Sequence, residues 1–170
     1  MRRLPVLVFV LCGFLSQLLY SADQGHLTVV DYFLLLPADT FEGTPSEWLK
    51  FTKQPDCGVI DTANGYLSCT GDGAQPPFQV ALFRFSDGRP LLAVCSGELE
   101  AEDSLFLVFY ELYRDNQMRV ASRKIFPIQD GGNRQFILPK QGRIVTVKNV
   151  KTGKVLYRYE WNGSTFERKG

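Results

Sequence analysis

Cys57, Cys69 and Cys95, the single histidine His26, and the acidic run from Glu98 to Asp103 (ELEAED) are the residues whose types support chemistry. Cys57 and Cys69 stand symmetrically about Ala63. A hairpin centred there places them nearly opposite each other, within disulfide reach. A one-residue change of register separates them. Cys69–Cys95 is the competing pair, and either choice leaves one of the three thiols unpaired within a monomer. A cysteine nucleophile needs a neighbour that lowers its pKa, and none is evident. Buried or bridged cysteine is therefore the expected state.

The carboxylates are the second candidate. Glu98, Glu100 and Glu102 share one face if the chain is extended, and Asp56, Asp61 and Asp72 surround an earlier turn. Paired carboxylates about 5 to 10 Å apart hydrolyse glycosides. Repelling charges on one face instead favour solvent, so the ELEAED run is expected to be a solvated connection. Calcium-loop spacing is absent here. One histidine excludes multi-histidine metal centres within a chain, and a catalytic triad would have to recruit His26. The sequence contains no G-x-S-x-G elbow, C-x-x-C pair, Walker loop or dinucleotide-binding glycine pattern. No metal and no cofactor are expected, and the reading leans away from an enzyme.

Binding surfaces are the third. Tyr157, Tyr159 and Trp161 alternate with Arg158 and Glu160 on a late strand. Exposed, the row makes a platform for sugars or peptides; buried, it is the core face of an amphipathic strand, the reading that alternation with charge favours. Two loops exceed the length of a tight turn and are rich in glycine: residues 71–77, with Asp72, Gly73 and Gln75, and residues 130–134, with Asp130 and Asn133. These are the candidate binding loops.

The chain has 170 residues and opens with Met1-Arg2-Arg3, followed by an uncharged stretch from Leu4 to Ala22 that includes the fourth cysteine, Cys12. A basic start, an apolar run and small residues at its end read as a secretory signal peptide over 1–22, preceding one domain over 23–170. Nineteen uncharged residues are also long enough for an uncleaved membrane anchor through residues 4–22. Losing Arg2 and Arg3 takes the 19 basic residues to 17 against 18 acidic. A charge this near neutrality gives no reason to expect nucleic acid as a partner. Membrane association is expected only if the leader is retained.

The elements that position these residues read as mainly β. Phe78 to Gly97 is the organising stretch: two apolar runs about Ser86-Asp87-Gly88-Arg89 predict a hairpin with a type I′ turn, covered on both faces. Further strands are expected over Val29–Leu35 (with a helix as the weaker alternative there), 58–61, 66–69, 105–112, 118–126, 135–138, 143–150 and 155–161. Thr44-Pro45-Ser46-Glu47 predicts a short helix with Thr44 as N-cap, ending near Gln54-Pro55. Val147 to Tyr157 (VKNVKTGKVLY) resembles one strand–turn–strand unit of a β-propeller. A propeller needs several such units and this chain holds one, so an ordinary hairpin is expected. The fold expected is an antiparallel sandwich or barrel-like sheet of about 8–10 strands with one short N-terminal helix.

The function expected from these features is a non-enzymatic binding domain, periplasmic or extracellular, whose partner at the envelope is a protein or a glycan. The alternatives are an envelope-tethered assembly component, membrane-anchored through residues 4–22, and a small carboxylate-dependent hydrolase.

Overall fold

The central hairpin forms where the sequence places it. In the computed structural model, which describes residues 27–71, 73, 76–96, 106–128 and 132–170, strands β3 (Phe78–Arg84) and β4 (Pro90–Ser96) pair over their full length. Residues 1–26, which include the expected leader and His26, and the ELEAED run lie outside the described residues. The turn differs from the expected type I′. Gly88 alone in it has positive φ, at 88°, and Phe85 N–H donates to Arg89 O at 2.9 Å. The loop is therefore three residues, Ser86 to Gly88, closed by a left-handed glycine.

Around the hairpin the chain makes an up-and-down sheet. Its strands are β1 (Gly58–Asp61), β2 (Tyr66–Cys69), β3, β4, β5 (Phe106–Leu112) and β6 (Met118–Val120), adjacent in that order. A second sheet holds β7 (Arg134–Ile137), β8 (Ile144–Asn149), β9 (Val155–Trp161) and β10 (Phe166–Arg168). All pairings are antiparallel, and neither sheet closes into a barrel. The sandwich alternative holds. The stretch expected as one strand over 118–126 is broken: β6 is three residues, followed by a 3₁₀ turn at Arg123–Ile125 capped by Ser122.

The larger sheet is buried on both faces. One face packs on the second sheet through Phe83, Leu91, Ala93, Phe109, Val145, Tyr159, Trp161 and Phe166. The other, with Leu67, Val80, Leu92 and Val94, packs on two helices. That is why β4 is buried at all seven positions and reads as a continuous apolar run.

The second sheet packs on the first. At one end Leu138 N–H donates to Gln79 Oε1 at 3.0 Å, and Cys95 Sγ–H donates to Phe136 O at 3.4 Å. At the other, Trp161 Nε1–H donates to Arg84 O at 2.7 Å and Ser86 N–H to Gly163 O at 2.9 Å. Gln79 and Arg84 are about 17 Å apart along one strand, so the second sheet is tied to both ends of β3.

The first described element corrects the sequence reading. Val29–Leu34 is a helix, α1, where a buried strand was expected. Thr28 and Asp31 form a capping box: Thr28 N–H and Oγ1–H each donate to Asp31 Oδ2 at 2.7 Å. The buried positions Val29, Tyr32, Phe33 and Leu36 follow helical spacing. Helix α2 (Pro45–Thr52) forms as expected, with Thr44 N–H and Oγ1–H both donating to Glu47 Oε2 at 2.8 Å.

These boxes tie stability to acid pH. The Asp31 carboxyl is held below its ordinary range by the Thr28 side chain and backbone, and Glu47 by the Thr44 backbone and side chain. A depressed carboxylate contributes stability above its ordinary pKa and loses it as the pH falls through the folded-state value, here below about pH 4. We expect Thr44→Ala to cost about 1 kcal/mol at neutral pH and to flatten the acid limb of a stability–pH curve. Urea unfolding at pH 7 and pH 3 checks both: the gap between variant and parent narrows at pH 3.

Candidate functional site

The register of the larger sheet brings together a row that the sequence keeps far apart. Cys69, Phe78, Ser96 and Phe106 are successive cross-strand partners at the ends of β2, β3, β4 and β5, on the face that carries the helices. Beside this row stand Phe41, in the loop after α1, and Trp48 of α2. Trp48 Nε1–H donates to Glu42 O at 2.8 Å and so pins that loop to the helix. Phe78 is the hub of an aromatic cluster. Its ring lies 4.8 Å from Phe41, 5.8 Å from Phe33 in a near-parallel stack, and 5.7 Å edge-on to Trp48. Such offset and edge contacts suit the ring quadrupoles and fix the rings rigidly.

Between the row and the loop runs a groove of about 370 Å³. Phe41, Trp48, Phe78 and Phe106 line its apolar part, with Pro76 from the 71–77 loop. Asp39 and Glu42 stand exposed at its rim. Phe106 is 38 % exposed and lines the groove. Thr40 Oγ1, in the same wall, is buried and stands beside the Tyr110 phenol. Burial pushes the nearby Tyr110 phenol above its ordinary value; Thr40 partly offsets this, and the Asp39 charge adds to the rise. An apolar concavity with few polar groups at its edge is the usual form of a small-ligand site.

Comparisons of the chain with protein-family models, with curated proteins and with solved structures found no match. The groove therefore has to be read from its own chemistry.

The residues singled out in the sequence separate into three sets. Tyr159 and Trp161 are buried at 7 % and 2 % exposure in the core between the sheets, and Tyr157 packs against it. The row is the core face of β9 and forms no surface platform. Gly73 is exposed in the loop whose end, Pro76, lines the groove; Asp72 and Gln75 lie outside the described residues. Asn133 is exposed, and its carbonyl accepts Val150 N–H at 3.0 Å; Asp130 lies outside the described residues. Asn133 is not among the residues that line the groove.

The cysteines are not paired: Cys57, Cys69 and Cys95 are free thiols. The β1–β2 loop has four residues, Thr62 to Gly65, so Gly58 faces Cys69 and Cys57 faces Thr70, whose N–H donates to Cys57 O at 2.8 Å. This is the one-residue shift that separates the pair. Cys69 and Cys95 belong to opposite faces of the sheet, which removes the competing bridge. Cys95 sits at the bottom of a second cleft of about 270 Å³, with Tyr66, Ser68, Gln79 and Lys140 around it. Burial pushes the Cys95 thiol up to about 12. At neutral pH it is a protonated donor to Phe136 O and supplies no nucleophile. Among the described residues no three His, Cys, Asp or Glu side chains come together as a metal site. No helix among them is long and apolar enough to cross a membrane.

Proposed function

We propose that this protein is an exported, non-catalytic binding domain and that the groove beside Phe106 holds a glycan. The carrying observation is the combination of an aromatic floor with two exposed carboxylates at the rim of one groove. Sugar rings present apolar C–H faces that stack on aromatic side chains, and their hydroxyls donate to carboxylate oxygens. The groove has both: Phe78 and Phe106 at the sheet end and Trp48 on α2 supply aromatic surface, and Asp39 and Glu42 stand on the loop that Trp48 pins. The charged start at Arg2-Arg3, followed by the uncharged run to Ala22, supports export to where such polymers occur.

Pull-down on insoluble polysaccharides (chitin, cellulose, xylan, peptidoglycan), followed by calorimetry with the matching soluble oligosaccharide, tests the reading. Phe106→Ala removes exposed ring surface at little cost in stability and should weaken binding about three- to tenfold. Binding that is indifferent to Phe106→Ala and Glu42→Gln, or retention on none of the polymers, overturns the proposal. Retention on a protein partner alone would favour the assembly role instead.

A further inference from the structure

At the opposite end of β3 a separate cleft of about 410 Å³ opens between the β1–β2 turn and the start of β8. Thr62, Asn64 and Gly65 of the turn line one side, Gly142 and Arg143 the other, with Arg84 between. The lining contains two arginines and no carboxylate.

Arg84 is fixed in place without being neutralised. Its Nη1 donates to Gly88 O at 3.2 Å and its Nη2 to Leu27 O at 3.3 Å, and the guanidinium carbon lies 5.9 Å from the centre of the Tyr32 ring. Both bonds go to neutral carbonyls. A guanidinium has five N–H donors in a rigid fork, so two such bonds leave donors over. Arg143 is exposed, and its side chain has no hydrogen bond or ion pair among the described residues. Elsewhere Arg89 pairs with Asp87 and Glu111, and Arg119 with Asp115.

Two acids stand behind the lining, and both are spoken for. Asp31 accepts from Thr28, and Asp61 accepts from Asn64 N–H at 3.0 Å and Asn64 Nδ2–H at 2.7 Å. These bonds hold both carboxyls below their ordinary range and turn them toward Thr28 and Asn64 rather than toward the guanidiniums. Two like charges facing one cleft with no counter-charge on its wall repel each other. An oxyanion between them converts that repulsion into charge-assisted, geometrically matched hydrogen bonding.

We propose that this cleft is an oxyanion-binding site, with Arg84 as the preorganised clamp and Arg143 as the second, mobile arm. The ligand chemistry is a phosphate, sulfate or carboxylate group. It reaches the cleft either as a free anion or as the acidic group of a larger glycan. The site is independent of the aromatic groove, which lies at the other end of β3.

The test is an amide-shift titration of the ¹⁵N-labelled full chain with inorganic phosphate, against sodium chloride at matched ionic strength. A second arm uses trigalacturonate. Asn64, Gly65 and Gly142 should shift saturably with phosphate and not with chloride. Arg143→Gln should weaken binding about tenfold, the loss of one charged hydrogen bond, with an unchanged melting temperature. Arg84→Lys keeps the charge but loses the fork and should weaken phosphate likewise; its stability is measured alongside because Arg84 also ties Leu27 to Gly88. Tighter binding of trigalacturonate than of phosphate identifies an acidic glycan as the source, and the reverse a free anion. Shifts that follow ionic strength alone, or saturable shifts that survive Arg143→Gln unchanged, overturn the site. Failure here leaves the groove proposal standing, because none of these residues lines the groove.

Discussion

Trp161→Ala is expected to cost about 4 kcal/mol, a large part of the 5 to 15 kcal/mol that holds a typical domain together. Trp161 is 2 % exposed at the end of β9. Its ring lies 5.0 Å from Phe166, 5.2 Å from Phe85 and 6.2 Å from Phe83, so it fills the space between the two sheets at the hairpin end. Truncation loses the transfer free energy of the indole and leaves a cavity that two packed sheets cannot easily close. It also strips Arg84 O of its donor, Trp161 Nε1. Trp161→Phe separates the two effects. It keeps most of the ring volume, loses the hydrogen bond, and should cost about 1 to 2 kcal/mol. Glu167→Ala, on an exposed position of the neighbouring strand, should stay within about 0.5 kcal/mol of the parent. Urea unfolding of the three variants reads all of these. A cost below about 1 kcal/mol for Trp161→Ala would mean that the second sheet is not seated on the central hairpin in this way.

The same residue shows what the sequence made legible. Alternation of Tyr157, Tyr159 and Trp161 with charged neighbours is the period of a half-buried strand, and that period gave the core reading correctly. Hairpins were equally readable, because Gly and Asn at reversals answer a local backbone requirement. So was α2, since Thr44, Pro45 and Glu47 each satisfy a local demand of a helix start. The α1 segment misled because LTVVDYFLLL is rich in β-formers while its helical face is spread over Val29, Tyr32, Phe33 and Leu36. The Thr28–Asp31 box was the signal available, and tertiary packing onto Leu67 and Val80 outweighed propensity.

Register was the harder quantity. Whether Cys57 meets Cys69 depends on whether the turn holds an odd or an even number of residues, and both counts fit the same Asn-Gly signal. The aromatic groove depends on register throughout. Phe78, Ser96 and Phe106 become neighbours only through two successive strand pairings, and Phe41 joins them through its packing on Phe33 and Phe78 and the Trp48 bond to Glu42 O. The 71–77 loop was the one part of the groove visible beforehand, and it contributes Pro76 at the margin. The arginine cleft was invisible for the same reason, as Arg84 ends a strand of one sheet and Arg143 immediately precedes a strand of the other.

Gly58→Ala carries the second large expected effect and bears directly on the groove. Gly58 opens β1 opposite Cys69, and its backbone lies flat against the end of α2. A β-carbon there would collide with the Ser68 carbonyl oxygen, would stand 2.5 Å from Thr52 Cγ2 and would be 3.3 Å from Thr52 O. Two of these neighbours are backbone. The third belongs to a residue 2 % exposed whose hydroxyl donates to Trp48 O at 2.7 Å. None can yield without moving either the β1–β2 ladder or the last turn of α2. We expect a cost of about 3 kcal/mol, the upper range for an overpacked site. Gly153→Ala is the contrast: its φ of 66° strains an alanine, but open space surrounds it, and about 1 kcal/mol is expected. Shifting the four-residue edge strand β1 against β2 relieves the Ser68 contact, but the Thr52 contacts are relieved by pushing the last turn of α2 outward, and Trp48 moves with it. The variant should therefore red-shift Trp48 emission, measured in a Trp161→Phe background, and should lose any glycan affinity held by the groove by more than its stability loss explains. Unchanged emission with a loss of stability would show that the strand, and not the helix, gives way.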